Sequence, residues 1–232
     1  LGDTNSRNVF TKITTNTNNI KSVYGDGGYN TYILKNDGTL WGCGYNNHSQ
    51  LGLGDTKSRT ILTIIGINTN NIKSVYCGDD YIFILKNDGT LWGCGQNNYY
   101  ELGLEDATDK NIFTQIITNA NDVKSVYCGY WHTIVLKNDG TLWGCGYSDY
   151  GQLGLGDSTY VKTLTQITEN GDNVKCFAND YSTPNTIKIY DTKIGYIETL
   201  DTNNFRSIPV NTVKKLKSLC INPLNTHLNC LI

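Results

Sequence analysis

The three histidines are the residues best suited to acid–base chemistry in this chain of 232 residues. His48, His132 and His227 lie at different offsets within the chain's repeating pattern, so no two of them share a local setting. No Ser-His-Asp arrangement, paired-carboxylate motif or phosphate-binding glycine loop accompanies them. The sequence therefore predicts a protein that is not an enzyme and that needs no cofactor.

Eight cysteines and two short acidic runs are the other candidate ligands. Cys43, Cys94 and Cys145 share one repeat position, and no Cys-x-x-Cys pair or adjacent histidine suggests zinc. We expect these three to be unpaired thiols in the structural core, acting as small hydrophobic groups. The segments around Asp26 and at Asp79-Asp80 resemble calcium loops only loosely, so calcium is the weaker alternative and no metal site is predicted.

An exact internal repeat indicates which elements must position these residues. The eleven residues from Leu34 to Gly44 recur letter for letter from Leu85 to Gly95 and from Leu136 to Gly146, at a spacing of 51 residues. A period of this size is typical of stacked units that cannot bury their apolar faces alone. The repeat therefore predicts one continuous array rather than separate globular domains.

The third copy predicts a unit of four antiparallel strands. Alternating β-forming residues place strands a, b, c and d at 123–128, 132–136, 141–147 and 162–168. Asn138-Asp-Gly140 is a tight turn between b and c, in which glycine accepts a positive φ. Such a four-stranded meander is one blade of a β-propeller. The predicted fold is all-β, with no helix longer than two turns.

Strand c suggests how neighbouring blades pack. Alternation places Trp143 and Cys145 on one face and Gly144 and Gly146 on the other. Two glycines in one strand indicate close approach by a bulky group. We therefore expect the repeated tryptophans to be core residues, buried between blades against the glycines of a neighbour: Trp41, Trp92 and Trp143.

The segment Gly151–Asp157, together with Gly129–Thr133 and Asn138–Gly146, resembles the repeat of the regulator of chromosome condensation family. The resemblance is strong over 1–168 and poor over 169–232. It implies blades from a seven-bladed ring, of which this chain is an excerpt. Three residues replace glycines of the family pattern, and we expect the fold to tolerate them: Ser49, Tyr100 and Glu105.

The repeat divides the chain into a series of blades within one propeller. The expected bounds are 1–19 for the last strand of a preceding blade, 20–71, 72–122, 123–173, a degenerate blade at 174–212, and the first strands of a further blade at 213–232. Residues 8–14 are predicted to be an orphan strand d, because they match 111–117. We expect the chain to belong to a longer chain or larger assembly and, alone, to associate through open sheet edges.

Sequence variation concentrates in the a–b and c–d loops, which lie at one end of such a blade. The opposite b–c turn is Lys-Asn-Asp-Gly in three copies. Variable loops on a constant scaffold are where binding usually resides, and aromatic residues are favoured interface anchors. The candidate ligand-binding residues are Tyr29, His48, Asp79, Asp80, Tyr99, Tyr100, Glu101, Tyr130, Trp131 and Tyr150.

Composition limits the partners. A net charge of −2 without a basic stripe argues against nucleic acid, and no apolar run is long enough for membrane insertion.

The favoured function is a non-enzymatic propeller that binds a protein or a glycan. A structural ring in a phage tail or surface fibre is the second alternative, and a guanine-nucleotide exchange factor for a small GTPase is the third. Abundant Asn, Ile, Lys and Tyr suggest a bacterial or phage source, with a secreted, surface or phage-particle location favoured over the cytoplasm.

Overall fold

A computed structural model describes residues 2–13, 18–26, 28–66, 71–117, 123–149, 152–153, 155 and 160–167. It also describes the backbone of four further strands between 174 and 208. All regular structure within these ranges is β-strand, as the sequence predicts. No described segment forms a helix that could cross a membrane.

The strands form four antiparallel sheets, each a simple meander in chain order. The first sheet contains β1 (Ile20–Gly25), β2 (Asn30–Lys35), β3 (Leu40–Gly44) and β4 (Arg59–Ile65). The second contains β5 (Ile72–Cys77), β6 (Tyr81–Lys86), β7 (Leu91–Gly95) and β8 (Lys110–Ile117). The third contains β9 (Val123–Cys128), β10 (His132–Lys137), β11 (Leu142–Gly146) and β12 (Val161–Gln166). The fourth contains β13 (Val174–Asn179), β14 (Ile187–Asp191), β15 (Ile197–Leu200) and β16 (Arg206–Ile208).

The predicted four-stranded blade is confirmed, whereas the orphan strand d predicted at 8–14 has no strand c to pair with among the described residues and stays a prediction. Residues 8–13 are described and form no strand. A strand d must pair with a strand c of its own sheet, and the described residues before Ile20 contain no such strand. Val9 and Phe10 are consequently exposed. The strands predicted at 213–220 and 226–232 lie outside the described residues.

The b–c turn has the same internally bonded structure in three sheets. In the second sheet, the Asp88 carboxylate accepts hydrogen bonds from the backbone N–H and the hydroxyl of Thr90. The Thr90 hydroxyl in turn accepts the indole N–H of Trp92 at 2.9 Å, and the Lys86 ammonium lies 4.2 Å from the centre of that ring. The donors to Asp88 lower the pKa of its carboxyl. The polar groups at this end therefore bond to one another.

Apolar residues fill the spaces between adjacent sheets. One cluster joins Tyr32 and Leu34 of the first sheet to Val75 and Ile84 of the second. The next cluster joins Tyr81 and Phe83 of the second sheet to residues of the third, including Val126 and Val135. The second sheet is thus covered on both faces, which is the packing of successive propeller blades.

Trp92 and Trp143 lie between blades, but the repeated tryptophans do not pack as predicted. Trp41, Trp92 and Trp143 are half-buried, and Trp92 packs against the core shared by the first two sheets. The glycines that should have received them face leucines of their own c–d loops instead. A Cβ at Gly93, for example, would lie 2.9 Å from Leu102. The prediction fails because the c–d loop folds its leucine back over the strand.

Cysteine, rather than tryptophan, lies against a glycine of the neighbouring sheet. A Cβ at Gly52 would lie 3.0 Å from the Cys94 sulfur and 2.7 Å from the Phe113 ring. A Cβ at Gly103 would likewise lie 3.0 Å from the Cys145 sulfur of the third sheet. Cys94 and Cys145 are buried and Cys43 is half-buried, and all three thiols are free. Burial raises the pKa of each thiol.

This contact predicts that Gly52→Ala destabilises the chain by about 3 kcal/mol, through strain at a φ of +63° and overpacking against Phe113. Gly54→Ala is the matched control. Gly54 also has a positive φ, but a Cβ there would lie 3.9 Å from its nearest neighbour, the Ile112 side chain. That variant should lose only about 1 kcal/mol. Urea denaturation of both variants measures the difference. Equal losses would show that the close approach at Gly52 contributes nothing.

Candidate binding surface

In the first three sheets the a–b and c–d loops lie at the same end, here called the loop end. The first residue of strand b pairs with the last residue of strand c in all three copies: Asn30 with Gly44, Tyr81 with Gly95, and His132 with Gly146. Strand pairing therefore places the loop before strand b beside the loop after strand c.

Buried asparagines hold the c–d loops in shape. The Asn46 side chain accepts the backbone N–H of Leu51 and donates to the carbonyl of Asp55. Asn97 makes the same two bonds to Leu102 and Asp106. The loops thus begin from a fixed scaffold. These asparagines were not among the predicted site residues, although their recurrence at the 51-residue repeat spacing was a usable signal.

Hydrogen bonds between sheets fix the positions of the loops relative to each other. The Tyr81 hydroxyl of the second sheet donates to the His132 carbonyl of the third at 2.7 Å. The Thr133 hydroxyl donates to the Glu101 carbonyl at 2.6 Å. His132 itself is buried, and burial lowers the pKa of its imidazole to about 4, so the ring is neutral at pH 7. The loop end is therefore a preformed surface.

An acidic cluster, defined as Asp26, Asp79 and Asp80, lies where the first two sheets meet. Gln50 of the first sheet donates to an Asp80 carboxylate oxygen at 2.6 Å. Burial raises the pKa of Asp79 and Asp80, and the neighbouring carboxylates raise it further. Beside the cluster, His48 pairs with Asp109 of the second sheet at 3.0 Å. Negative charge from two sheets is thus concentrated at one junction.

An aromatic cluster lies where the second and third sheets meet. Its adjacent ring centres are separated by 4.7 to 6.1 Å. Tyr130 and Tyr160 are its most exposed members. A second, smaller group of rings, Tyr29, Tyr45 and His48, borders the acidic cluster. The aromatic cluster consists of Tyr99, Tyr100, Tyr130, Trp131, Tyr147 and Tyr160.

Glu101 is fully buried next to the aromatic cluster. One of its carboxylate oxygens accepts the backbone N–H of Tyr99, while the other has no hydrogen-bond partner among the described residues. Burial raises the pKa of this carboxyl to about 7. Gln50 occupies the same position in the first sheet, where its amide has a partner on each side.

The structure distributes the predicted site residues between these two junctions. Asp79 and Asp80 belong to the acidic cluster, and Tyr29 and His48 border it. Tyr99, Tyr100, Tyr130 and Trp131 belong to the aromatic cluster. Glu101 is buried rather than exposed, and Tyr150 lies outside the described residues. The sequence did not single out Asp26, Gln50, Tyr45, Tyr147 or Tyr160 as site residues. In the described part of the chain, no group of three acidic, His or Cys side chains could hold a metal ion.

Comparison with known protein families identifies the repeat. Two models, both described as regulator of chromosome condensation (RCC1) repeat, match the chain. One matches residues 37–85 and 88–136, and the other matches 72–101 and 123–152. These segments include most residues of both junctions, but not Asp26, Tyr29 or Tyr160.

Several longer proteins are similar in sequence to part of this chain. The ultraviolet-B receptor UVR8 of Arabidopsis thaliana is 33% identical over 166 residues, which are 68% of this chain and 37% of that protein. Protein RCC2 of Homo sapiens is 31% identical over 57% of this chain and 26% of its own length. The secretion-regulating guanine nucleotide exchange factor of Bos taurus is 31% identical over 57% of this chain and 29% of its own length. The chain thus spans well under half of each relative.

Solved structures show the same fold. Human WBSCR16 superposes with a TM-score of 0.64 and 18% identity, covering 82% of this chain and 50% of that one. Yeast RCC1 (Prp20), solved bound to Kap60, superposes with a TM-score of 0.60 and 22% identity, covering 65% of this chain and 37% of that one. The sheets described here are therefore blades of a β-propeller of this type.

Proposed function

Because this chain belongs to the regulator of chromosome condensation (RCC1) repeat family, we propose that it is a non-enzymatic propeller that binds a protein partner through its loop end. Relatives that share its repeats carry the names of a receptor, a GTPase regulator and an exchange factor. These names describe proteins that act on or respond to other molecules, and they support a role in recognition.

The observation that carries the proposal is the aromatic cluster at the loop end. Tyrosine and tryptophan are enriched at the energetic centres of protein interfaces, because they present a large, rigid contact area. Tyr100 also has a φ of +65°, which is strained for a bulky residue. Strain of this kind is concentrated at functional sites, where the surrounding structure maintains it.

The opposite end of the blades supports the proposal by contrast. Its b–c turns are identical in sequence, and their Asp, Thr, Trp and Lys side chains contact one another. A surface whose polar groups already have partners gains less from binding than one with exposed rings. Recognition of a glycan stays a prediction of the sequence, for which the structure adds no separate argument.

The experiment is selection of peptides from a random dodecapeptide display library against the full chain, followed by titration of purified, selected peptides. We expect Tyr130→Ala and Trp131→Ala each to weaken binding by about 30-fold, as for residues at the centre of an interface. Asn87→Ala, at an exposed b–c turn, is the matched control and should leave affinity unchanged. Circular dichroism establishes that each variant is folded. Peptides that lose affinity with Asn87→Ala but not with the loop-end variants would overturn the proposal.

Guanine-nucleotide exchange is a second candidate, favoured by the similarity to the secretion-regulating exchange factor. It predicts that the chain accelerates release of a fluorescent GDP analogue from at least one purified small GTPase, and that Trp131→Ala removes the acceleration. Binding of a GTPase without faster nucleotide release would support recognition alone.

A further inference from the structure

We propose that the acidic cluster binds one arginine side chain of the protein partner, with the guanidinium held between the carboxylates and a tyrosine ring. This inference rests on the proposed function, since it names the chemistry that the partner presents. It concerns the junction of the first two sheets, whereas the aromatic cluster lies at the junction of the second and third.

Asp26 is the fixed member of the cluster. One of its carboxylate oxygens accepts the backbone N–H of Gly28 at 2.9 Å and that of Asn30 at 3.1 Å. Its other oxygen is buried and has no hydrogen-bond partner among the described residues, and neither polar atom of the Asn30 side chain has one. Buried polar groups of this kind are rare in folded proteins and indicate a missing partner.

Asp79 completes the cluster from the second sheet. The hydrogen-bonded carboxylate oxygen of Asp26 and a carboxylate oxygen of Asp79 lie 3.8 and 4.0 Å, respectively, from the position that a Cβ of Gly28 would occupy. These two groups therefore face the same small volume from different sheets. Asp80 is next to them and is oriented by the amide of Gln50.

The cluster forms no ion pair among the described residues, and His48, the basic group that partly offsets the charge of Asp80, is itself paired with Asp109. The ion pairs within the described residues use Asp3, Asp55, Asp106 and Asp109, and none uses a member of the cluster. Burial and mutual repulsion raise the pKa of Asp79 and Asp80, which shows that negative charge there is poorly compensated. A cation supplied from outside would relieve that repulsion.

The shape of the site favours a guanidinium over a metal ion. A metal requires its ligand atoms within about 2.6 Å of one point, and no three described acidic, His or Cys groups meet that condition. A guanidinium presents five donors spread over a plane, and that plane also stacks on aromatic rings. Tyr29 is 72% exposed, and Tyr130, which is 52% exposed, lies beside Asp79, whose charge raises the pKa of the Tyr130 hydroxyl. Rings of the required kind therefore border the carboxylates.

The test is titration of the full chain with the peptide acetyl-Gly-Arg-Gly-amide by NMR at low ionic strength. The isosteric citrulline peptide, which lacks the charge, is the ligand control. We expect the arginine peptide to bind at least about tenfold more tightly than the citrulline peptide, and Asp79→Asn to remove that difference. Asp149→Asn takes away the same charge from the c–d loop of the third sheet and should change nothing.

A second variant places a cation in the site from within the chain. Gly28 has no positive φ and has space for a Cβ, so Gly28→Lys should fold and bring an ammonium group to Asp26 and Asp79. We expect this variant to unfold at a higher temperature than Gly28→Gln and to lose the arginine peptide. Equal binding of the arginine and citrulline peptides would overturn the inference, as would tighter binding of the corresponding lysine peptide. If the selected dodecapeptides still depend on Trp131 in that case, the proposed function stands without it.

Discussion

Replacing Val75 with aspartate is expected to lower the free energy of unfolding by at least about 4 kcal/mol, because it buries an unpaired charge between the first two sheets. The same replacement at Val23 should cost no more than about 1 kcal/mol. The two valines occupy identical local sequences, Ile-Lys-Ser-Val-Tyr at 20–24 and at 72–76. Both sit in strand a opposite an isoleucine of strand b.

The difference between the two sites comes from the neighbouring sheet. Val75 is 3% exposed because the first sheet covers it, whereas Val23 is 59% exposed on the uncovered face of the first sheet. Urea denaturation of Val75→Asp and Val23→Asp, followed by circular dichroism, compares them directly. Similar losses at both positions would mean that each sheet derives its stability internally and that the packing of blades is secondary.

Replacing Glu101 with glutamine is expected to stabilise the chain by roughly 3 kcal/mol at pH 8 and to have almost no effect at pH 4. The folded-state pKa of about 7 lies above the ordinary value of 4.5, and this difference sets the magnitude. Below pH 4.5 the carboxyl is protonated in both the folded and the unfolded chain. As the pH rises towards 7, the unfolded chain loses this proton first, so the stability of the native protein falls.

The pH dependence of stability must be compared between the native chain and the variant, because His132 changes stability with pH in the direction opposite to Glu101. Burial lowers the pKa of this imidazole from 6.5 to about 4, so its contribution to stability increases with pH over that range. In the difference between the native chain and Glu101→Gln, the contribution of His132 cancels. Glu105→Gln, an exposed change four residues away, is the control and should follow the native profile. Parallel profiles for the native chain and Glu101→Gln would show that the buried carboxyl has an ordinary pKa.

The blade itself could be predicted from the sequence because its determinants are local and repeated. Strand a of the third copy was predicted at 123–128, which are the bounds that the structure shows. The Asn-Asp-Gly turn was equally clear, and Gly38, Gly89 and Gly140 adopt the positive φ expected of it. Alternation of residue types and turn chemistry act within a few residues, so one sequence suffices to detect them.

Contacts between elements were harder to predict. Alternation correctly placed Gly93 on the face opposite Trp92, but it could not show that Leu102, nine residues further on, returns to cover the glycine. The acidic cluster presents the same difficulty, since Asp26 and Asp79 belong to different blades and meet only after the blades pack. Their shared end of the blade was predictable, whereas their proximity depends on the geometry between sheets.

The surroundings of the four tryptophans have a spectroscopic consequence. Trp41, Trp92 and Trp143 have the same threonine partner and the same lysine above the ring, and Trp92 and Trp143 also pack against a core shared by two sheets, so the fluorescence emission of those two should be nearly indistinguishable. All three lie towards the b–c turns, and Trp131 alone is in the loop-end aromatic cluster. A change in emission on adding a ligand, absent from a Trp131→Phe chain, would therefore report events at that end without any attached label.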